Sequence, residues 1–439
     1  MSATLLLRQL ELLWRKLLQG IAVVPPAPRL PSDLLLEIFA RTDPATLVRC
    51  AATSKDHLRR VADPAFLRRH RHLLRGRFVP SLLLGVHCVC LDDDEEDGRS
   101  DRLMVPPPSA APAAALYAAL GETMSKLGDW QCSPVESRGG LLFVRDWYTC
   151  SELAKGRVIS SSNPEHHLSI PPADIKANSL VLLPDDGGGD EDDDDDGADI
   201  CFRLLAVNLS AMAGGRLYAQ IFKSRPGKWG WGRDIDVPYR GPPCEWYDSK
   251  AVVLRSGDGG GPVSHWLCKS AASYHVVSFD VDGTRVGVVE LPPQCRNPGR
   301  TSDELLLAPS PDGRRLSLLV AEGLSINVWT QTADATTSSW ARHQVIDVGG
   351  MAAKMSPWWP LPRQVDPGDR IKFERWFGER SGTAFLEING CGHFAVNLAT
   401  KGMELVKEFS ETRAMWLLCG HEMDPIPLLR KLKPLLSCL

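Results

Sequence analysis

From about residue 130 to about residue 420, short apolar or alternating runs recur roughly every 8 to 15 residues, with Gly, Pro, Asp and Ser between them. Examples are Gly140-Leu141-Leu142-Phe143-Val144-Arg145, Ile200-Cys201-Phe202-Arg203-Leu204-Leu205 and Lys250-Ala251-Val252-Val253-Leu254. Tyr274-His275-Val276-Val277-Ser278-Phe279, Leu316-Ser317-Leu318-Leu319-Val320 and Ser325-Ile326-Asn327-Val328-Trp329 continue the series. Runs this short that end at turn residues read as strands, and no long helical period interrupts them. Asp282-Gly283 and Asp312-Gly313 have the chemistry of tight hairpin turns. The region is therefore expected to be all-β.

A β-propeller requires four-strand units repeating about every 40 to 50 residues. One stretch reads as such a unit: Ser310-Pro311-Asp312-Gly313-Arg314-Arg315-Leu316, two apolar strands, then Val328-Trp329. The region has room for about six units at that period. The expected fold class is thus α+β and multidomain, a small helical module followed by a large propeller-like β-domain. Packed β-sandwiches are the alternative for the β-domain.

The helical module comes first. Pro25, Pro26 and Pro28 form a stiff connector, and three short helical signals follow. In the first, Ser32 is placed to cap, Asp33 lies in the first turn, and Leu34, Leu35, Ile38 and Phe39 share a face. Asp43 and Asp63 are placed to cap the second and third helices, each followed by a Pro suited to the first helical position.

This module resembles the F-box. The matching residues are Leu30-Pro31-x-Asp33-Leu34-Leu35-x-Glu37-Ile38-Phe39, then Leu47-x-x-Cys50, Ser54-Lys55, and Asp63-Pro64-x-Phe66. Many family members have Trp within C-K-x-W-R; here Ser54 replaces the Cys and His57 stands where Trp would be. The resemblance implies docking to a Skp-type adaptor and, through it, to a cullin. It assigns Leu30, Pro31, Leu34, Leu35, Ile38, Phe39, Leu47 and Cys50 to the adaptor surface or to the helical core beneath it. A module this small has too little interior for all its apolar residues, so leucines left outside form the kind of patch that marks an interface.

The β-domain resembles the propeller-like domains of grass (plant) F-box proteins. Val263-Ser264-His265-Trp266-Leu267-Cys268, Val277-Ser278-Phe279-Asp280-Val281, Leu291-Pro292-Pro293, Ser338-Ser339-Trp340 and His421-Glu422-Met423-Asp424-Pro425 carry that likeness. It implies a substrate-recognition adaptor of an SCF-type ubiquitin ligase, with the β-domain holding an unknown protein target. The alternative is a free-standing protein- or carbohydrate-binding module outside any ligase.

The expected layout is an amphipathic helix at 1–24, the F-box at 25–77, a linker and transition segment at 78–130, the β-domain at 131–425 with an acidic loop at 185–199, and a tail at 426–439. The formal net charge of −4 gives no overall pull toward nucleic acid or anionic lipid. No apolar run reaches the roughly 18 residues of a membrane span. The Arg-rich stretch from Lys55 to Arg77 nearly lacks stacking aromatics and reads as a solvated helix face. The 12 cysteines include no C-x-x-C pair and read mostly as reduced thiols of a cytoplasmic or nuclear protein.

No G-x-S-x-G, H-E-x-x-H, Walker or Rossmann motif is present, so no catalytic residue, metal or cofactor is expected. Most tryptophans of the β-region are expected to fill space between blades. Trp358-Trp359, flanked by prolines, together with Trp229 and Trp231, are the candidate target-binding anchors.

Overall fold

The structure is a computed structural model that describes residues 30–51, 53–74, 76–92, 100–105, 132–146, 155–160, 163–184, 201–210, 215–237, 250–255, 261–269, 273–283, 285–296, 299–332, 339–355, 370–388, 391–408 and 413–424. The helix expected at 1–24, the acidic loop at 185–199, the tail at 426–439 and the Trp358-Trp359 pair lie outside these residues.

The described chain opens with four helices: α1 (Ser32–Arg41), α2 (Pro44–Ala51), α3 (Lys55–Val61) and α4 (Pro64–Leu74). Asp43 accepts from the Thr46 amide at 3.1 Å and Asp63 from those of Ala65 and Phe66 at 2.8 and 3.1 Å, as their positions predict. Ser32 does not cap. It belongs to the first turn, and Pro31 holds the cap position without a side-chain bond. The seven-residue α3 is a fourth helix where sequence suggested three; Ser54 caps it by accepting from the His57 amide at 3.0 Å. Phe39, Ala40, Leu47, Ala51, Leu58, Val61, Phe66 and Leu67 form the module's buried core.

A large all-β domain follows, with a five-bladed propeller-like arrangement. Its blades are antiparallel meanders that run in sequence order. The first holds β3 (Cys132–Arg138), β4 (Leu141–Asp146), β5 (Gly156–Ser160) and β6 (Asn163–Ile170). The second holds β7 (Ser179–Pro184), β8 (Phe202–Asn208) and β9 (Arg216–Lys223), with β10 (Lys228–Trp229) and β11 (Arg233–Asp236) both paired to β9. The third holds β12 (Val252–Arg255), β13 (Pro262–Lys269), β14 (Tyr274–Asp280) and β15 (Arg285–Glu290). The fourth holds β16 (Leu305–Pro309), β17 (Leu316–Glu322), β18 (Ser325–Gln331) and β19 (Trp340–Asp347), and the helix α5 (Val348–Met355) follows it. The fifth holds β20 (Ile371–Phe377), β21 (Thr383–Ile388), β22 (Gly392–Asn397) and β23 (Gly402–Glu408).

The fourth blade contains the unit read from Ser310 to Trp329. Asp312 and Gly313 lie in the β16–β17 connection, where Gly313 adopts φ +66°, a backbone region that glycine enters without steric penalty. β16 is buried along its whole length and β17 at every residue but Glu322, because blades face both sides of them. Hydrophobic clusters join neighbouring blades: one spans the third and fourth, another the fourth and fifth.

A three-stranded sheet joins the ends of the ring. Its strands are β2 (Ser100–Val105), β1 (Leu83–Asp92) and β24 (Arg413–Glu422), with β1 in the centre, and β24 lies against both β3 and β20. The segment 78–130, expected as linker and transition, therefore contributes two strands to the β-domain. Val79 to Leu91 reads as strand-like in the sequence, but no local signal names the partner of β1, which lies more than 300 residues away.

Candidate functional site

The first candidate site is the outer face of α1. Leu30, Leu34 and Ile38 recur at the four-residue spacing that lines up side chains on a helix, and they are 54%, 54% and 48% exposed. Phe39 and Ala40 point the other way, into the core. Pro31 is exposed at the head of the stripe. Leu47 is fully buried, whereas Leu35 and Cys50 are half-buried against the core. The structure thus divides the eight predicted residues: Leu30, Pro31, Leu34 and Ile38 form a surface, and Leu35, Phe39, Leu47 and Cys50 support it from beneath. Burial raises the Cys50 thiol above its ordinary value, with Asp43 adding to the effect.

Charge flanks the stripe on one side. Glu37 on α1 is held by Arg41, one turn on, and by Arg69 of α4. Arg77 donates to the Arg41 carbonyl at 2.8 Å. His70 of α4, which the sequence reading did not single out, is fully buried, with Nδ1 3.1 Å from the Ala40 carbonyl oxygen. Burial lowers its pKa, so it packs as a neutral ring that ties α4 to α1.

The module is clasped to the β-domain by residues 78–83. The Val79 amide donates to the Arg380 carbonyl at 2.7 Å, and the Met423 amide to the Leu82 carbonyl at 2.8 Å. Phe78 packs edge-on against Phe377 with ring centroids 5.8 Å apart. Gly382 has φ +72°, and a Cβ there would lie 2.3 Å from Phe78 Cγ, so the close approach requires glycine. Asp424 lies 3.6 Å from Arg380 and 4.0 Å from Arg71 of α4.

The second candidate site is the propeller axis, where Arg138 is the hub. Its Nε and Nη2 meet the two oxygens of Glu379 at 2.8 and 2.7 Å. Nη1 donates to the Leu182 carbonyl at 2.9 Å and Nη2 to the Ala251 carbonyl at 2.8 Å. Nη1 also lies 3.1 Å from Glu136. One guanidinium at the end of β3 thereby touches β7, the lead-in to β12 and the turn after β20. Burial opposes its charge, but Glu379 and Glu136 raise its pKa well above the ordinary value. Burial also raises the carboxyl of Glu136, with Arg138 and Lys250 pulling in the opposite direction. Beside this network is a cavity of about 50 Å³, lined by Lys250, Lys269, Tyr274, Phe373, Trp376 and Glu379 among others. That is room for a few waters.

Residues 27–73 match the family model of the F-box-like domain. These residues are an F-box-like domain. Residues 223–435 match a second model, a domain of unknown function, DUF7595. It begins at the last residue of β9, so the first blade and most of the second precede the matched region. No curated protein matches the chain. Among solved structures, a luciferin-regenerating enzyme is 9% identical, over 65% of this chain and 75% of that one, with a TM-score of 0.32. A protein from Lactobacillus plantarum is 12% identical over 76% and 84%, with a TM-score of 0.31. The hydrazine synthase of Kuenenia stuttgartiensis is 10% identical over 63% and 70%, with a TM-score of 0.28.

Within the F-box-like domain, His57 is the residue that departs from the C-K-x-W-R pattern of the resemblance. Its ring meets Phe39 edge-on with centroids 5.3 Å apart, and its Nδ1 lies 2.8 Å from Thr53 Oγ1. The residue thus makes one aromatic and one polar contact beneath α1. Of the proposed target anchors, Trp229 is half-buried: its ring sits edge-on to Phe222 at 5.5 Å, and its indole donates to the Pro171 carbonyl at 2.8 Å. Trp231 is 95% exposed between β10 and β11. Trp266 fills the space between the second and third blades and donates to Ser179 Oγ at 2.9 Å. Among the described residues, no group of three His, Cys, Asp or Glu is placed to hold a metal ion, and no helix is long and apolar enough to cross a membrane.

Proposed function

We propose that this protein is the substrate-recognition subunit of an SCF-type ubiquitin ligase. Its F-box-like domain docks a Skp-type adaptor, which links it to a cullin, and its propeller-like domain binds a protein target. The observation that carries this reading is the apolar stripe of Leu30, Leu34 and Ile38, about half exposed on a helix whose other side is buried in the F-box-like core. Covering that stripe removes apolar surface from water, the main drive of protein association.

In this reading the protein performs no chemistry. It holds a target near the conjugating enzyme, so that effective concentration and orientation accelerate the transfer. The clasp at residues 78–83 favours such a role, because it fixes the docking face relative to the blades instead of leaving it on a free linker. Trp231 offers a low-entropy aromatic anchor on the target side. The reading places the protein in the cytoplasm or the nucleus.

Co-purification of the full chain with a Skp-type adaptor tests this. The intact chain is expected to bind at about micromolar affinity or better, in the range of specific complexes. A Leu34→Asp, Ile38→Asp variant that is still folded is expected to lose binding. A folded intact chain that binds no adaptor would overturn the reading in favour of a free-standing binding module.

A further inference from the structure

We infer that the surface covering the Leu30, Leu34 and Ile38 stripe carries carboxylates along the edge that meets Arg41 and Arg69. The adaptor is thus recognised by an apolar groove with an acidic border. This inference rests on the docking role proposed above and adds the chemistry of the partner's rim.

Arg41 lies three residues after Ile38 and seven after Leu34, which puts it on the same helical face as the apolar stripe. Glu37, beside Ile38, is the carboxylate that Arg41 and Arg69 share. Arg77, also exposed, is bonded to the Arg41 backbone. Two guanidinium groups therefore share one carboxylate at the border of the stripe, with Arg77 held nearby by the Arg41 carbonyl. Arg41 and Arg69 remain 58% and 52% exposed, so each keeps donors facing outward.

The surroundings reinforce the sign. Residues 30–77 hold ten Lys and Arg against five Asp and Glu, in a chain whose net charge is −4. Arg49, Lys55, Arg59 and Arg68 are exposed and make no ion pair among the described residues. Asp33 is the other acidic residue of α1, in its first turn, away from Arg41. A partner with the opposite sign is drawn to this face and held in register, whereas a basic one is repelled. The phenylalanines of the same stretch, Phe39 and Phe66, are buried in the module's core and unavailable to stack on bases, which favours a protein partner over single-stranded nucleic acid.

The test follows association of the full chain with a purified Skp-type adaptor at increasing salt. Rim charges act mainly on the association rate, so the wild-type rate is expected to fall about tenfold from low to high salt. An Arg41→Gln, Arg69→Gln double variant is expected to associate about tenfold more slowly at low salt, to lose most of the salt dependence, and to dissociate about as before. Glu37→Gln is expected to speed association. Thermal melting of each variant checks that it is folded. If the arginine variant associates like wild type at every salt concentration while Leu34→Asp abolishes binding, the acidic border is refuted and the docking face stands. If Leu34→Asp binds like wild type, or wild type does not bind, both fall.

Discussion

Arg138 and Glu379 form a two-point ion pair across 241 residues of sequence, at 2.8 and 2.7 Å, with side chains only 12% and 18% exposed. The pair lies where the inner strands converge. Removing Arg138 leaves the Glu379 carboxylate without its guanidinium and takes the Arg138 donors from the carbonyls of Leu182 and Ala251. Arg138→Ala is expected to lower stability by about 3–5 kcal/mol. An Arg138→Met, Glu379→Leu double variant is expected to lose less than that single change. Denaturant titration of the three proteins checks the order.

Leucines of one module should respond in opposite ways. Leu47→Ala removes a fully buried side chain and is expected to cost about 2–5 kcal/mol. Leu34→Ser, at a residue 54% exposed, is expected to stay within about 0.5 kcal/mol of wild type. Thermal melts of the two variants distinguish a supporting residue from a surface one.

Acid should weaken the closing sheet through two histidines. His87 of β1 and His421 of β24 are buried with ring centroids 5.9 Å apart, and the Nε2 atoms of both have no partner among the described residues. Burial pushes His87 down to about 4 and His421 to about 3, the latter helped by His87. Since the unfolded chain takes up these protons near the ordinary pKa of about 6.5, stability is full above that pH and falls as pH drops toward 4 and below. A His87→Gln, His421→Gln variant is expected to show a shallower fall in melting temperature between pH 6.5 and pH 4. Burial raises the carboxyls of Glu136 and Glu422 in both proteins, which works the other way, so the difference in slope isolates the histidines.

Gly382→Ala is expected to disturb the clasp. The added methyl meets the Phe78 ring at 2.3 Å in a left-handed backbone. Gly76→Ala meets nothing within 4 Å, although its φ of +91° is equally unfavourable to alanine. The first is expected to cost more than the roughly 1 kcal/mol of backbone strain that limits the second. Protease susceptibility near residues 74–83 is expected to rise for Gly382→Ala.

The F-box face was legible because its signals are local. The four-residue spacing of Leu30, Leu34 and Ile38, and the caps at Asp43 and Asp63, are read within single turns. The Asp312-Gly313 turn between two apolar runs likewise disclosed one blade. The axis was not legible. Arg138 ends an ordinary strand and Glu379 sits in a Gly- and Ser-containing turn, and nothing in either neighbourhood names the other. His87 and His421 were hidden for the same reason, since only ring closure brings β1 to β24. The seat of Trp229 was not legible either, because exposure cannot be read from residue type: Phe222 and the Pro171 carbonyl hold its indole partly buried.

The pairing of β1 with β24 also fixes an order of events during synthesis. The F-box helices emerge from the ribosome complete and with their core contacts in hand, whereas β1, only nine residues after α4, must wait for more than 300 further residues before its partner exists. Through that interval one long edge of β1 has no neighbour in the nascent chain, and such edges invite association with other polypeptides. A nascent or truncated chain that stops short of Arg413 thus displays a finished docking module on an unclosed ring.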